Sequence, residues 1–165
     1  NGQTFISRKM AFSLRHARQV LVFLATVGED IDREIDKLQN ENRLADSYVL
    51  DAIGSGAVEC LADRFQQDMA GRLARKGQAV GLRFSPGYCD WSVHEQQKVF
   101  ACLDAGAVGV NLSETSLMSP RKSISGLFGI FKEDDRPEKQ PQNPCRLCAK
   151  KDCIARRAEQ PPTIQ

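Results

Sequence analysis

The longest uninterrupted apolar run in the chain is Val20-Leu21-Val22-Phe23-Leu24-Ala25. A bilayer-crossing helix needs roughly 20 such residues, so this run is strand-sized. It lies within RQVLVFLATV (18–27), which is rich in β-branched residues and is ended by Gly28, the pattern of a buried strand. Whatever surrounds it must therefore cover a sheet.

The remaining periodicities supply the cover. Glu29, Asp30, Asp32 and Glu34 open a helix with negative charge at its positive end, and Ile31, Ile35 and Leu38 follow at helical spacing. A long second helix is predicted from about Arg43 to Lys76, with Val49, Ala52, Ile53, Ala57, Leu61, Phe65, Met69 and Leu73 as its inner face. Gly54-Ser55-Gly56 interrupts it. Each glycine costs about 1 kcal/mol against alanine in a helix interior, so the pair is there either for close backbone packing or as a break between two helices. Gln78–Phe84 reads as a second strand, Ser92–Ala105 as a helix with Val93, Val99, Phe100 and Leu103 inward, and Val108–Leu112 as a short strand. Ser113–Pro120 reads as a turn or short helix and SISGLFGIF (123–131) as a further strand. The expected class is α+β, helices packed on a mostly antiparallel sheet.

After Phe131 the composition changes. KEDDRPEKQPQNP (132–144) is charged and proline-rich, as a solvated linker is, and a cysteine segment (145–157) and a tail expected to be disordered (158–165) follow. The domain is thus expected over 1–131. A net charge of +2 without a basic stripe gives no electrostatic case for nucleic acid, and nothing in the chain has the build of a signal peptide or a membrane span.

The six cysteines point to a reducing, cytoplasmic setting rather than to a disulfide framework. Cys60 and Cys102 fall in apolar helical runs and are expected to be buried free thiols. Cys145, Cys148 and Cys153 give C-x2-C-x4-C, a spacing at which thiolates reach one zinc ion or an iron–sulfur cluster. Arg146, Lys150, Lys151, Arg156 and Arg157 surround them and favour the thiolate form. A fourth ligand is needed, and Cys89 is the natural candidate.

Cys89 belongs to RFSPGYC (83–89), just before Trp91. Pro86-Gly87 sets a bend of type II, since proline fixes φ and glycine accepts φ > 0. The arginine fork suits a carboxylate, the glycine lets a ligand approach the backbone, and Tyr88 offers a stacking face. The plainer alternatives are Arg83 in a salt bridge with a neighbouring carboxylate and Tyr88 in the core.

About thirty residues on comes LSETSLMSPRKSISGLFG (112–129). R-x-x-P-G-Y, a helix starting near a histidine, and then L-S-E-T-x-x-M-x-P-x-x-S-I-S-G resemble the C-terminal activation domain of cobalamin-dependent methionine synthase, over roughly Val20 to Phe131. The resemblance implies binding of S-adenosylmethionine and docking on a corrinoid-carrying protein or domain, where the module supports reductive remethylation of the partner's cobalamin. By position it implies Arg83 at the ligand carboxylate and Pro86, Gly87 and Tyr88 as pocket wall. It further implies Ser123, Ser125 and Gly126 as cofactor contacts, and Asp63, in CLADRF, as the acidic side chain facing the reacting centre; a solvated helix face is the plainer reading of Asp63. The chain departs from the family pattern at Gly77, where an acidic residue is expected, and at Phe128, where a tyrosine is. An upstream ligand-binding aspartate has no counterpart, and the cysteine segment is an addition shared with shorter relatives found with corrinoid methyltransferases. The competing expectation is an iron–sulfur electron-transfer or zinc-stabilised docking protein for a corrinoid protein, without S-adenosylmethionine.

Overall fold

Strand β5 (Ser123–Lys132) is buried at every residue from Ile124 to Phe131, which explains its nearly unbroken apolar sequence. Both its faces are covered. The computed structural model describes residues 2–135, and the cysteine segment lies outside them. Before β5 come α1 (Arg8–Leu14), β1 (Gln19–Thr26), α2 (Asp30–Asn40), α3 (Leu44–Ala74), β2 (Gln78–Phe84), α4 (Gln96–Phe100), β3 (Asn111–Leu112) and β4 (Met118–Ser119). β5 is the centre of a sheet ordered β1-β5-β2, antiparallel on both sides, and β3 and β4 form a separate hairpin. The α+β class, helices on an antiparallel sheet, is as the sequence predicts.

Two cores flank the sheet. Ile124, Phe128 and Ile130 point to the α3 side, against Phe23, Val58, Ala62, Leu73 and Val80. Leu127 points the other way, into Met10, Leu82, Phe84, Trp91 and Val99 from the α1 and α4 side. Strand parity alone would put Val80, Leu82 and Phe84 on one face. A shift of register between Val80 and Arg83 breaks that parity, and Gln66 Nε2 on α3 donates to the Gly81 carbonyl there at 2.8 Å. The bulge sends Leu82 and Phe84 to the α4 side and turns Arg83 toward α3.

Several expectations are corrected. The helix predicted over Ser92–Ala105 is only a 3-10 turn at Val93–Glu95 followed by five α-helical residues, Gln96–Phe100. Val93 is exposed rather than inward. The chain tightens into i→i+3 bonds at Cys102 and Leu103, and a second 3-10 turn, Ala105–Val108, ends at Gly109 with φ +68. That turn takes the place of the strand expected from Val108, leaving two residues of β3. On α3 the inner face is Ser47, Gly54, Val58, Ala62 and Leu73, with Phe65 and Met69 half-buried beside it. Val49, Ile53 and Leu61 are exposed. The helix is apolar on two sides, and the sequence pattern alone does not say which side meets the sheet. Cys60 is accordingly exposed and Cys102 half-buried, not the buried thiols expected. β5 runs one residue further than the expected strand, through Lys132, and Glu133–Asp135 form a 3-10 turn.

The glycine pair does not break α3, which is continuous for 31 residues. A Cβ on Gly54 would lie 3.0 Å from Ile31 Cγ2 and 3.1 Å from Lys122 Cγ, whereas one on Gly56 would meet nothing within 4 Å. Close packing is therefore the role of Gly54 alone. Among the described residues no helix is long and apolar enough to cross a membrane.

Candidate functional site

The bend at 85–88 is the type II turn its sequence predicts. Gly87 has φ +89 and the Tyr88 N–H donates to the Ser85 carbonyl at 3.2 Å. A second bond, from the Gly87 N–H to the Trp91 carbonyl at 2.9 Å, folds the turn back on itself. Trp91 is buried, edge-on to Phe5 with centroids 5.5 Å apart, so the tryptophan of this aromatic cluster is core. Tyr88 is not: it faces a cleft.

That cleft, about 430 Å³ in volume, lies between the turn, the start of β5, the β3–β4 hairpin and α3. Pro86 and Tyr88 form one wall, Ser123 and Ser125 another, and Ser116, Leu117 and Met118 of the hairpin a third. Two sequence motifs some thirty residues apart thus converge on one space. Ser125 Oγ donates to Gln96 Oε1 at 3.2 Å, while Ser123 Oγ is tied to the Pro120 carbonyl at 2.7 Å. Ser116 is the odd member. It is 2 % exposed, has φ +65, and its Oγ has no hydrogen-bond partner among the described residues. A buried hydroxyl left unpaired is costly, and at a cleft wall it is a donor awaiting an acceptor. Ser113 holds the hairpin tip around it, its carbonyl accepting from the Ser116 N–H at 2.9 Å and its Oγ from the Leu117 N–H at 3.0 Å.

Gly126 lies behind this wall. A Cβ there would sit 2.5 Å from the Phe84 carbonyl oxygen and 2.9 Å from Ser85 Oγ, so the missing side chain lets the turn close onto β5. Gly87 is exposed beside Val93. Arg83 does not line the cleft. Its Nη2 donates to Glu59 Oε2 at 2.9 Å, and its Nη1 lies 3.1 Å from Asp63 Oδ1 without a hydrogen bond. The plainer sequence alternative, an arginine in a salt bridge, is what these distances describe. Asp63 is largely exposed on α3, at the end of that clamp.

Cys89 adopts φ +55 and is half-buried just past the turn. Cys145, Cys148 and Cys153, its expected companions, lie outside the described residues. Among the described residues no three metal-ligating side chains gather.

Sequence reasoning did not pick out Glu59, Gln96, Ser116 and Arg121, which also line the cleft. Ser116 and Arg121 were within reach, because they lie inside the L-S-E-T-S-L-M-S-P-R-K-S motif. Glu59 carried only the weak signal of a carboxylate one helical turn before Asp63. Arg121 spans from the cleft to α2, its Nη2 2.6 Å from Asp36 Oδ1 and its Nε 3.3 Å from Asp32 Oδ1. Burial works against its charge, but the two carboxylates outweigh it and raise its pKa.

Ring, hydroxyl, amide and apolar surface in one open cleft suit a medium-sized polar ligand with an aromatic part. A search of the curated proteins finds no match. Among solved structures, the crystal structure of the MetH reactivation domain bound to AdoHcy matches at a TM-score of 0.58 and 18 % identity, covering 74 % of this chain and 41 % of that one. At that identity the likeness is one of fold, and the chain spans less than half of that protein's length. The family model described as the vitamin B12 dependent methionine synthase activation domain matches residues 14–135. Since that stretch takes in the whole sheet, the turn, the hairpin and every wall of the cleft, the chain belongs to the family of vitamin B12-dependent methionine synthase activation domains.

Proposed function

We propose that the cleft binds S-adenosylmethionine and that the chain serves a corrinoid-carrying partner protein or domain by supporting reductive remethylation of its cobalamin. The observation that carries this reading is the convergence of the two family motifs on one cleft with an unpaired buried hydroxyl, that of Ser116. The ligand of the structurally similar MetH domain, AdoHcy, is the demethylated form of the same compound.

The residues present fit such a ligand. The volume is in the range of small-ligand pockets, roughly 300–1,000 Å³. Tyr88 offers a flat face to an adenine, Val58, Val93 and Ile124 give apolar wall, and Ser116, Ser125 and Gln96 provide hydrogen-bonding atoms. When bound, S-adenosylmethionine supplies the methyl group. The work of this chain is to hold that ligand still at the mouth of an open cleft, where a partner's corrinoid can reach it. A net charge of +2 gives the partner little long-range field, so electrostatic steering is expected to be modest and what there is of it is screened by salt.

Calorimetric titration with S-adenosylmethionine tests the reading. Wild-type protein should bind it, and Tyr88→Ala should weaken binding about fivefold, the loss of one aromatic contact worth ~1 kcal/mol. No heat from wild type under any buffer condition sinks the reading.

A further inference from the structure

Among the described residues the sheet β1-β5-β2 has a free edge on either side, and the two are not alike. The β2 edge is interrupted by the bulge between Val80 and Arg83, and α1 packs against that strand. β1 instead runs in unbroken register with β5 over all eight of its residues. Its sequence, QVLVFLAT, holds neither a proline nor a charge, the devices that keep an edge strand from pairing with another chain. The Val27 N–H donates to the Lys122 carbonyl at 3.1 Å, which continues the β1–β5 register and fixes its phase. Successive residues of an antiparallel strand bond to opposite sides, so the N–H groups of Val20, Val22 and Leu24 point away from β5. Beside this edge, α3 continues the apolar surface. Phe65 packs against Phe23 of β1 with ring centroids 5.5 Å apart, and Leu61, one turn before Phe65, is 40 % exposed. Ile53, two turns before Leu61 on the same flank, is 59 % exposed. A strand edge and an apolar shelf are thus open side by side.

We propose that this edge is an interface with a second copy of the chain, β1 pairing antiparallel with its counterpart across a two-fold axis. Charge selects both the occupant and the direction. The strand is entered through Arg15, His16 and Arg18 and left through Glu29 and Asp30. Asp135 pairs with Arg18 at the first end and Arg33 with the two carboxylates at the second, which leaves a cation over at one end and a carboxylate at the other. Antiparallel pairing sets the cationic end of one copy against the acidic end of the other, twice per dimer; parallel pairing sets like against like. A two-fold axis perpendicular to the sheet also keeps α3 of both copies on one side, so each shelf gains apolar cover from the other. The 136–165 segment is a poorer occupant. It holds five prolines, and the stretch between Pro144 and Pro161 carries seven charged residues, a composition that does not suit a strand on an apolar edge. None of the cleft-lining residues belongs to β1, so the pairing leaves the cleft open and is independent of what binds there.

The experiment is sedimentation velocity of the full chain, with hydrogen exchange of its β1 amides. Wild type should pass from monomer to a dimer of twice 18.3 kDa between about 1 µM and about 1 mM, the weak association expected of one strand and its shelf. Exchange at Val20, Val22 and Leu24 should slow as the dimer forms. Val20→Pro removes an N–H that β5 does not use and should hold the chain monomeric. Charge reversal leaves the backbone intact and decides the matter if the proline variant does not fold. Arg18→Glu should raise the dimer dissociation constant about tenfold, because the two-fold axis makes each substitution count twice. Adding Glu29→Arg to it should restore the wild-type value. Wild type that stays monomeric overturns the inference; if those three amides are protected in that monomer, the chain's own 136–165 segment holds the edge instead. A dimer that persists in folded Val20→Pro, or that charge reversal leaves unchanged, overturns it too.

Discussion

At the scale of single residues, two glycines in the same chain have opposite reasons to be there. Gly126 is enforced by a backbone atom, because a Cβ would sit 2.5 Å from the Phe84 carbonyl oxygen, and a carbonyl in a paired strand cannot swing aside. Gly126→Ala is expected to cost about 1–3 kcal/mol through overpacking and to pry the 85–88 turn off β5. Gly56, exposed on α3 with nothing within 4 Å of the point a methyl group would occupy, has no such constraint. Gly56→Ala should stabilise by up to about 1 kcal/mol, the helix-propensity difference. Urea denaturation of both variants checks the pair, and a stability loss in the second or none in the first contradicts the packing described. The sequence made both positions look alike, as small residues in regular elements. Only the neighbour across the sheet separates them.

At the scale of elements, the join between α3 and the start of β5 depends on a buried cation. Lys122 is 6 % exposed and lies over Gly54, and its Nζ donates to Asp51 Oδ1 at 2.7 Å and Ser55 Oγ at 3.0 Å. Removing the carboxylate leaves that charge buried beside one hydroxyl. Asp51→Ala should therefore destabilise by about 2 kcal/mol, below the roughly 3–5 kcal/mol of a fully buried pair because Asp51 is half exposed. Lys122→Met keeps the aliphatic stem over Gly54 and removes the charge with it, so its cost should be smaller. Chemical denaturation of the two variants decides the order; the reverse order would mean that the stem, not the ion pair, holds the joint. Legibility in the sequence was uneven here. The strands were readable from their apolar runs and α2 from its acidic first turn and apolar spacing, because these signals are local. The inner face of α3 was not, since its apolar residues line two sides. The helix expected over 92–105 comes out shorter because the periodicity from Ser92 to Leu103 persists even where the backbone tightens into 3-10 turns.

At the scale of the whole molecule, the N-terminal segment is fastened to the site's turn by two carboxylates. Asp90 accepts from Ser7 Oγ at 2.6 Å and from the N–H groups of Arg8 and Lys9, at the start of α1. Glu95 accepts from the Ile6 N–H at 2.9 Å and pairs with Lys98. Burial pushes both carboxyls up, but these hydrogen bonds outweigh it and hold both below the ordinary carboxylate range. The folded form thus takes up these protons less readily than the unfolded chain does. The stabilisation is complete above the ordinary carboxylate range and is lost as the pH falls below about 4. Trp91, 2 % exposed and edge-on to Phe5, is the chain's one tryptophan and a reporter of this joint. Its fluorescence should shift to the red as acid releases the arm, and Asp90→Asn should show part of that shift at neutral pH. An emission maximum unchanged down to about pH 3, below the ordinary carboxylate range, would count against the joint.

What the sequence determined by itself is what short-range chemistry determines. The apolar runs that must be strands, the Pro86-Gly87 turn and the two motifs that carry the family are each read within one short stretch of chain. What the tertiary structure decided is which way those elements face. A one-residue bulge near Gly81 turned Arg83 from an open fork into a clamped ion pair and left Glu59 at the cleft wall. Side chains alternate every residue along a strand, so a single inserted residue exchanges the two faces. Only the pairing of β2 with β5 shows where it falls.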